Sequence, residues 1–251
     1  MIFSEKNINI KYLKYKDTLD NIILKFDSKI FKSIKKDRNT LKIFDLKKKK
    51  IVVKSFKVPN ILNKIIYTFF RKSKAKRSYE YASKLVTNNI NTPKPVAYYE
   101  TKKYFLLNKS YYVCEHIDYD FTFKDFINNK FEFKLVTKLF AEFTYSIHEK
   151  NINFLDNTPG NTLIVKQNNS FDFYLVDLNR MKFERMTFKR RMKNLSKLTT
   201  DLELIKAIST EYSKKTNINE NIIYDEIVSY TEKFQNFLKR KKEIKNKLGI
   251  G

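Results

Sequence analysis

Residues 154 to 180, FLDNTPGNTLIVKQNNSFDFYLVDLNR, constrain the fold of this chain more than any other stretch. The two short apolar runs here, the second of them FYLV, read as a short β segment that a hairpin could form. Asp156 and Asn161 stand before it with four residues between them, and Asp177 closes its second run. The intervening Pro159-Gly160 uses one of only 3 glycines in 251 residues, and a turn there would bring both polar side chains to one side. Such a set suits a metal and phosphate site. Two ordinary turns joined by a hairpin would read the same way.

The rest of the chain supplies a setting for that hairpin. DNIILKF (20 to 26), TLKIFDL (40 to 46) and IVVKSFK (51 to 57) are rich in β-branched and aromatic residues and read as strands, with the lysines at 47 to 50 as a solvated turn. NILNKIIYTFFRKSKAKRSYEYASKLVTNN has helical spacing in two pieces, ending at Asn88-Asn89. NTPKPVAYYE enters a strand through a turn, and SYYVCEHI (110 to 117) is another strand. From there FTFKDFINN, residues 131 to 152 and residues 186 to 248 all carry the periodicity of helices. The change of character near 117 to 120 predicts an α+β chain of two closely packed lobes, 1–117 and 118–251, without a Gly/Ser linker.

Charge narrows the partners. With 42% hydrophobic residues the chain can bury a sizeable core, while 52 Lys+Arg against 27 Asp+Glu give a net charge of +25. Nucleic acid, an acidic membrane surface and a phosphorylated small molecule all suit such a field, but no nucleic-acid-binding signature is present. The single cysteine, Cys114, lies in an apolar run and reads as core, in keeping with a reducing compartment. No signal peptide or membrane-spanning run is recognisable, so a cytoplasmic location is expected. His116, His148 and Cys114 are too few for a zinc site, and His148 reads as structural.

Phosphoryl transfer needs a lysine on the phosphates, a carboxylate to hold it, a base at the acceptor hydroxyl and oxygen ligands for magnesium. The chain offers these in order: Lys54 within IVVKSF, Glu80 in the following helix, Asp156, then Asn161 and Asp177. VVKSF, RSYEYASKL, DNTPGN and LVDLNR resemble the bilobal protein-kinase-like fold, with a mostly antiparallel N-terminal lobe carrying one key helix and a mainly helical C-terminal lobe. Within that fold, SKAKRSYEYA, NTPKPVAYYE, NLSKL and DLNR resemble the bacterial lipopolysaccharide kinases, which phosphorylate inner-core sugars such as Kdo or heptose. The resemblance runs from about 20 to 205 and implies an ATP- and Mg2+-dependent kinase, Kdo favoured over heptose, whose substrate is an anionic glycolipid. It further implies that Lys54 contacts phosphate and pairs with Glu80, that Asp156 takes the acceptor proton, and that Asn161 and Asp177 bind magnesium. Residues Glu115 to Asp118 would then form the hinge against adenine, with Glu115 and Ile117 in contact. A kinase of an antibiotic or another sugar shares these residues, and a basic nucleic-acid-binding protein shares the charge.

The chain departs from that family in places. No glycine occurs in residues 20 to 50, so lysines of KSIKKDRNT (32 to 40) and Arg38 stand where a glycine-rich phosphate loop is expected. Phe154-Leu155 replace the usual His-Arg, Leu178-Asn179 follow Asp177 where glycine is usual, and no Ala-Pro-Glu follows. These absences point to a small-molecule or glycolipid acceptor, with a pseudokinase as the other reading. Arg180 is a candidate for an anionic group of the substrate or for an ion pair. Ile61, Leu62, Ile65, Ile66, Phe69 and Phe70 form an apolar helical face followed by Arg71, Lys72, Lys74, Lys76 and Arg77. Packing on its own lobe is the expectation for so large a face, and peripheral contact with the acidic inner face of the inner membrane the alternative.

Overall fold

The computed structural model describes residues 3–28, 33–36 and 39–247. Arg38 and the side chains of the basic segment before it lie outside these. The chain forms two compact units, residues 1–118 with Asp177–Asn179, and residues 119–176 with 180–251.

The first unit is a six-stranded antiparallel sheet in the order β1-β5-β6-β4-β3-β2. Its strands are β1 (Glu5–Ile8), β2 (Ser33–Lys36), β3 (Asn39–Leu46), β4 (Lys49–Phe56), β5 (Pro95–Lys103) and β6 (Leu106–Glu115). β3 and β4 are joined at Lys47-Lys48, and Lys47 takes the positive φ, 55°, that so short a turn demands. Ile51 and Val53 of β4 alternate inward against Val96, Tyr99, Tyr111 and Val113. Cys114 is buried as expected, and burial pushes its thiol up to about 12.

Residues 20–26 form a helix and not the strand their isoleucines suggest. Helix α1 (Lys16–Leu24) buries Leu19 and Ile23, with Phe26 beyond its end, at the i, i+4, i+7 spacing of one helical face. The buried Lys42 of β3 secures its exit by donating to Phe26 O at 2.6 Å and Ser28 O at 3.2 Å. The edge strand β1 and the 3-10 turn Ile10–Tyr15 carried no strong sequence pattern.

The long helical region is in two pieces, as its spacing predicts. Helix α2 (Ile61–Ile65) runs into one π-type turn, Ile66–Phe70, and α3 (Lys74–Thr87) follows. Ser73 caps α3 by accepting from Lys76 N–H, and Asn89 ends it at φ 53°, with Ile90 N–H returning to Leu85 O. The apolar face of α2 is not packed as expected: Ile61, Leu62, Phe69 and Phe70 are exposed.

The second unit is mainly helical. Helices α4 (Phe123–Asn129), α5 (Phe133–Glu149), α6 (Phe188–Leu195), α7 (Leu202–Ser213) and α8 (Glu220–Lys247) surround a core of Phe126, Val136, Phe140, Met192, Leu204 and Ile208. The predicted hairpin is present as β9 (Thr162–Gln167) and β10 (Ser170–Leu175), with the short β7 (Phe121–Thr122) on its other edge. The pair β8 (Ile152–Phe154) and β11 (Met181–Phe183) brings the chain before Asp156 beside the chain after Arg180.

Candidate active site

Strand β4 carries Lys54, whose ammonium lies 2.7 Å from Asp177 Oδ1 with little of the side chain exposed. A largely buried lysine beside the buried Val53 needs an anion, and Asp177 supplies it. Asp177 has φ 59°, a conformation that aspartate tolerates better than most residues. Two contacts hold this turn where glycine is usual: Asn179 Nδ2 donates to Asp177 Oδ1 at 2.5 Å, and Arg77 Nη1 of α3 donates to Asn179 O at 2.8 Å. Arg77, which the sequence places only among the basic residues after the apolar face, falls on the buried helical face shared by Ala75, Ser78, Ala82 and Leu85, where a cation calls for a partner.

The expected pairing of Glu80 with Lys54 is not the one found. Glu80 takes Lys72 through both oxygens, at 2.7 and 2.8 Å. The reason is local: Lys54 is already neutralised by Asp177, and Glu80 lies on a half-exposed face within reach of the lysine just before α3.

In the second unit Asp156 Oδ2 lies 3.7 Å from Arg180 Nη1, and Leu155 N–H bonds Arg180 O at 3.0 Å, so the β8–β11 ladder fixes this pair in register. Asn161 Nδ2 donates to Asp156 O at 2.8 Å, a bond that does not engage its Oδ1. Val176 N–H bonds Asn161 O at 2.9 Å, so the residue just before Asp177 is anchored on Asn161. Lys197, in NLSKL, donates to Leu155 O at 2.5 Å. Burial pushes its ammonium below the ordinary lysine value while Asp156 pulls the other way. Its distance along the chain hides it from motif spacing.

Beneath this segment lies a buried polar network. Asn194 donates to Phe154 O at 2.7 Å and accepts from Asn157 Nδ2 at 2.9 Å, while its Oδ1 also meets His148 Nε2 at 3.2 Å. His148 Nδ1 completes the chain against Tyr212 Oη at 2.8 Å. His148 is therefore structural: it helps position the backbone around Asp156.

Gly160 proves less constrained than its rarity suggests. A Cβ built there meets nothing within 4 Å, and it lies in the short 3-10 turn Pro159–Asn161. Gly160→Ala is expected to change unfolding free energy by no more than about 0.5 kcal/mol, measured by urea denaturation.

At the hinge segment, Glu115 N–H bonds Lys94 O and His116 N–H bonds Lys50 O, both at 2.9 Å. Ile117 and Asp118 have no backbone N–H partner among the described residues. Burial raises the Glu115 carboxyl, but hydrogen bonds from Lys49 and Tyr12 outweigh it and hold the group below its ordinary value. Its side chain is thus committed to the unit's own structure.

Oxygen ligands suit a hard cation, and magnesium commonly takes one or two protein groups with the rest from phosphate and water. Asn161 and Asp177 each carry an oxygen of that kind. Among the described residues no cluster of three or more His, Cys, Asp or Glu could hold a metal alone.

No family model matches the chain, and no curated protein matches its sequence. Solved structures do match. A structure of WaaP in complex with acyl carrier protein aligns with a TM-score of 0.60 at 14% identity, over 95% of this chain and 98% of that one. A Rio2 kinase-ADP/Mg2+-phosphoaspartate complex from Chaetomium thermophilum aligns with a TM-score of 0.49 at 9% identity, over 87% of this chain and 75% of that one. The fold is protein-kinase-like, of mixed α+β class, as the sequence motifs imply.

Proposed function

We propose that this chain is an ATP-dependent kinase that phosphorylates a hydroxyl of a lipopolysaccharide inner-core sugar, Kdo before heptose. The observation that carries the reading is the Lys54–Asp177 ion pair at 2.7 Å on a kinase-like fold, since it joins a phosphate-binding cation to a metal-binding carboxylate. The sequence resemblance to lipopolysaccharide kinases supports the acceptor class.

On this reading Lys54 binds the nucleotide phosphates, and the backbone of Ile117 meets the adenine. Asp156 accepts the proton of the attacking hydroxyl at Oδ2, with Arg180 beside it to offset charge. Lys197 holds the backbone at Leu155 and places a second cation near the acceptor. Bound Mg2+ would neutralise phosphate oxygens through Asn161 and Asp177.

The test incubates the purified protein with ATP, magnesium and lipid A precursors bearing Kdo, or Kdo plus heptose, with and without acyl carrier protein. That protein enters as a candidate partner because WaaP was solved with it. Mass spectrometry should find one added phosphate on a Kdo-bearing acceptor. Folded, ATP-binding protein that modifies neither acceptor would sink the assignment.

A further inference from the structure

The first unit exposes an apolar surface made of two neighbouring segments. On α2 and its π-type turn, Ile61, Leu62, Ile65 and Phe69 recur at helical spacing on one face, with Phe70 after them; Ile61 is 65%, Phe69 67% and Phe70 82% exposed. The turn is fastened to the sheet beside this face, since Thr68 Oγ1 accepts from Leu107 N–H at 2.9 Å. The apolar residues around that anchor nonetheless stay exposed to solvent. Leu107 follows the tip of the β5–β6 hairpin, where the pair Lys103 and Leu106 encloses a two-residue loop, Tyr104-Phe105.

Both loop residues have positive φ, 50° and 63°, and their exposures are 83% and 89%. Asn-Gly is the usual solution for such a loop, so two aromatic residues there cost folding stability, and their rings give nothing back to the core. Around the two segments stand Lys64, Arg71, Lys102 and Lys103, which form no ion pair with a carboxylate among the described residues. Large apolar side chains ringed by unpaired cations, on a chain of net charge +25, match a surface that is apolar within and anionic at its edge.

We propose that this surface docks on an anionic phospholipid bilayer. Phe69, Phe70, Tyr104 and Phe105 enter the headgroup and acyl boundary, and Arg71, Lys102 and Lys103 meet lipid phosphates. The proposal concerns where the protein sits and does not depend on which acceptor it phosphorylates.

The full chain should co-sediment with vesicles of equal phosphatidylcholine and phosphatidylglycerol, and about tenfold less or weaker with phosphatidylcholine alone. Phe69→Ser with Phe105→Ser should weaken partition about tenfold or more, and Lys102→Gln with Lys103→Gln about fivefold per lysine. The chain has no tryptophan, so Phe105→Trp adds a single reporter that does not rely on a disruptive change. Its emission should shift to shorter wavelength on the anionic vesicles and be quenched by brominated lipid. Undiminished binding by the double serine variant, or an indole unaffected by vesicles, overturns the proposal. So does a wild-type dimer, seen by light scattering, that ignores vesicles and is split by the serine substitutions, because the surface would then face a second copy.

Discussion

Asp156→Ala should lower kcat/KM for phosphate transfer from ATP about 100- to 10,000-fold, the range for removing a general base, while ATP binding and the thermal midpoint stay close to wild type. The separation of effects follows from the surroundings of the side chain. Asp156 is partly exposed and its carboxylate faces Arg180 at 3.7 Å, whereas its backbone is held through Asn161 and the neighbouring Leu155 through Lys197 and Arg180. Truncating the carboxylate removes the proton acceptor and leaves those backbone bonds in place. Asp156→Asn keeps the shape and an oxygen but cannot take a proton, so it should be nearly as slow. Near wild-type turnover in either variant would exclude Asp156 as the base. A basic nucleic-acid-binding protein would behave otherwise: both variants would bind as wild type, and binding would fall steeply with salt.

The features legible in the sequence are those set by local pattern. The β9–β10 hairpin could be read from its two apolar runs, and the two-piece helix from its spacing and from Asn89 at its end. Helix α1 was misread because three isoleucine and leucine residues in a row satisfy both periods, and only the burial of Leu19, Ile23 and Phe26 on one sheet face decides between them. Side-chain partners were harder. Glu80 is expected on Lys54 from the sequence but takes Lys72, because Asp177 neutralises Lys54. Lys197 and Arg77 act through backbone carbonyls far away in sequence, which no spacing rule encodes. The scarce glycine misled in the other direction, because its position suggested a conformational need that the turn does not have. The exposed face of α2 is a further case: helical spacing shows that an apolar face exists, but whether the unit covers it depends on how Thr68 and Leu107 orient the helix.

The buried network behind Asp156 predicts a pH dependence of stability. Burial, reinforced by the nearby Arg191 and opposed by the bond to Asn194, depresses His148 to about 3. Asn194 Oδ1 accepts from Nε2–H and Nδ1 accepts from Tyr212, so the neutral ring satisfies both contacts and a protonated ring would set a donor against the tyrosine hydroxyl. The unfolded chain binds a proton at this histidine near pH 6.5, and the folded chain does so only near 3. Stability from this group is therefore complete above about pH 6.5 and is lost as pH falls toward 3, with an upper limit of about 5 kcal/mol at 1.36 kcal/mol per pH unit. The carboxylates held low, Glu115 and Asp201 among them, lose stability over the acid end of the same range, so the wild-type curve alone does not isolate the histidine. His148→Gln separates the contributions: it cannot titrate, keeps a polar side chain in the pocket, and leaves every carboxylate in place. Urea denaturation from pH 7 to pH 4 should show a shallower decline in the variant, so that the gap between the two proteins narrows as the solution is acidified. Parallel curves would mean that His148 is charged or solvent-accessible in the folded state, and would remove it from the support of the Asp156 segment.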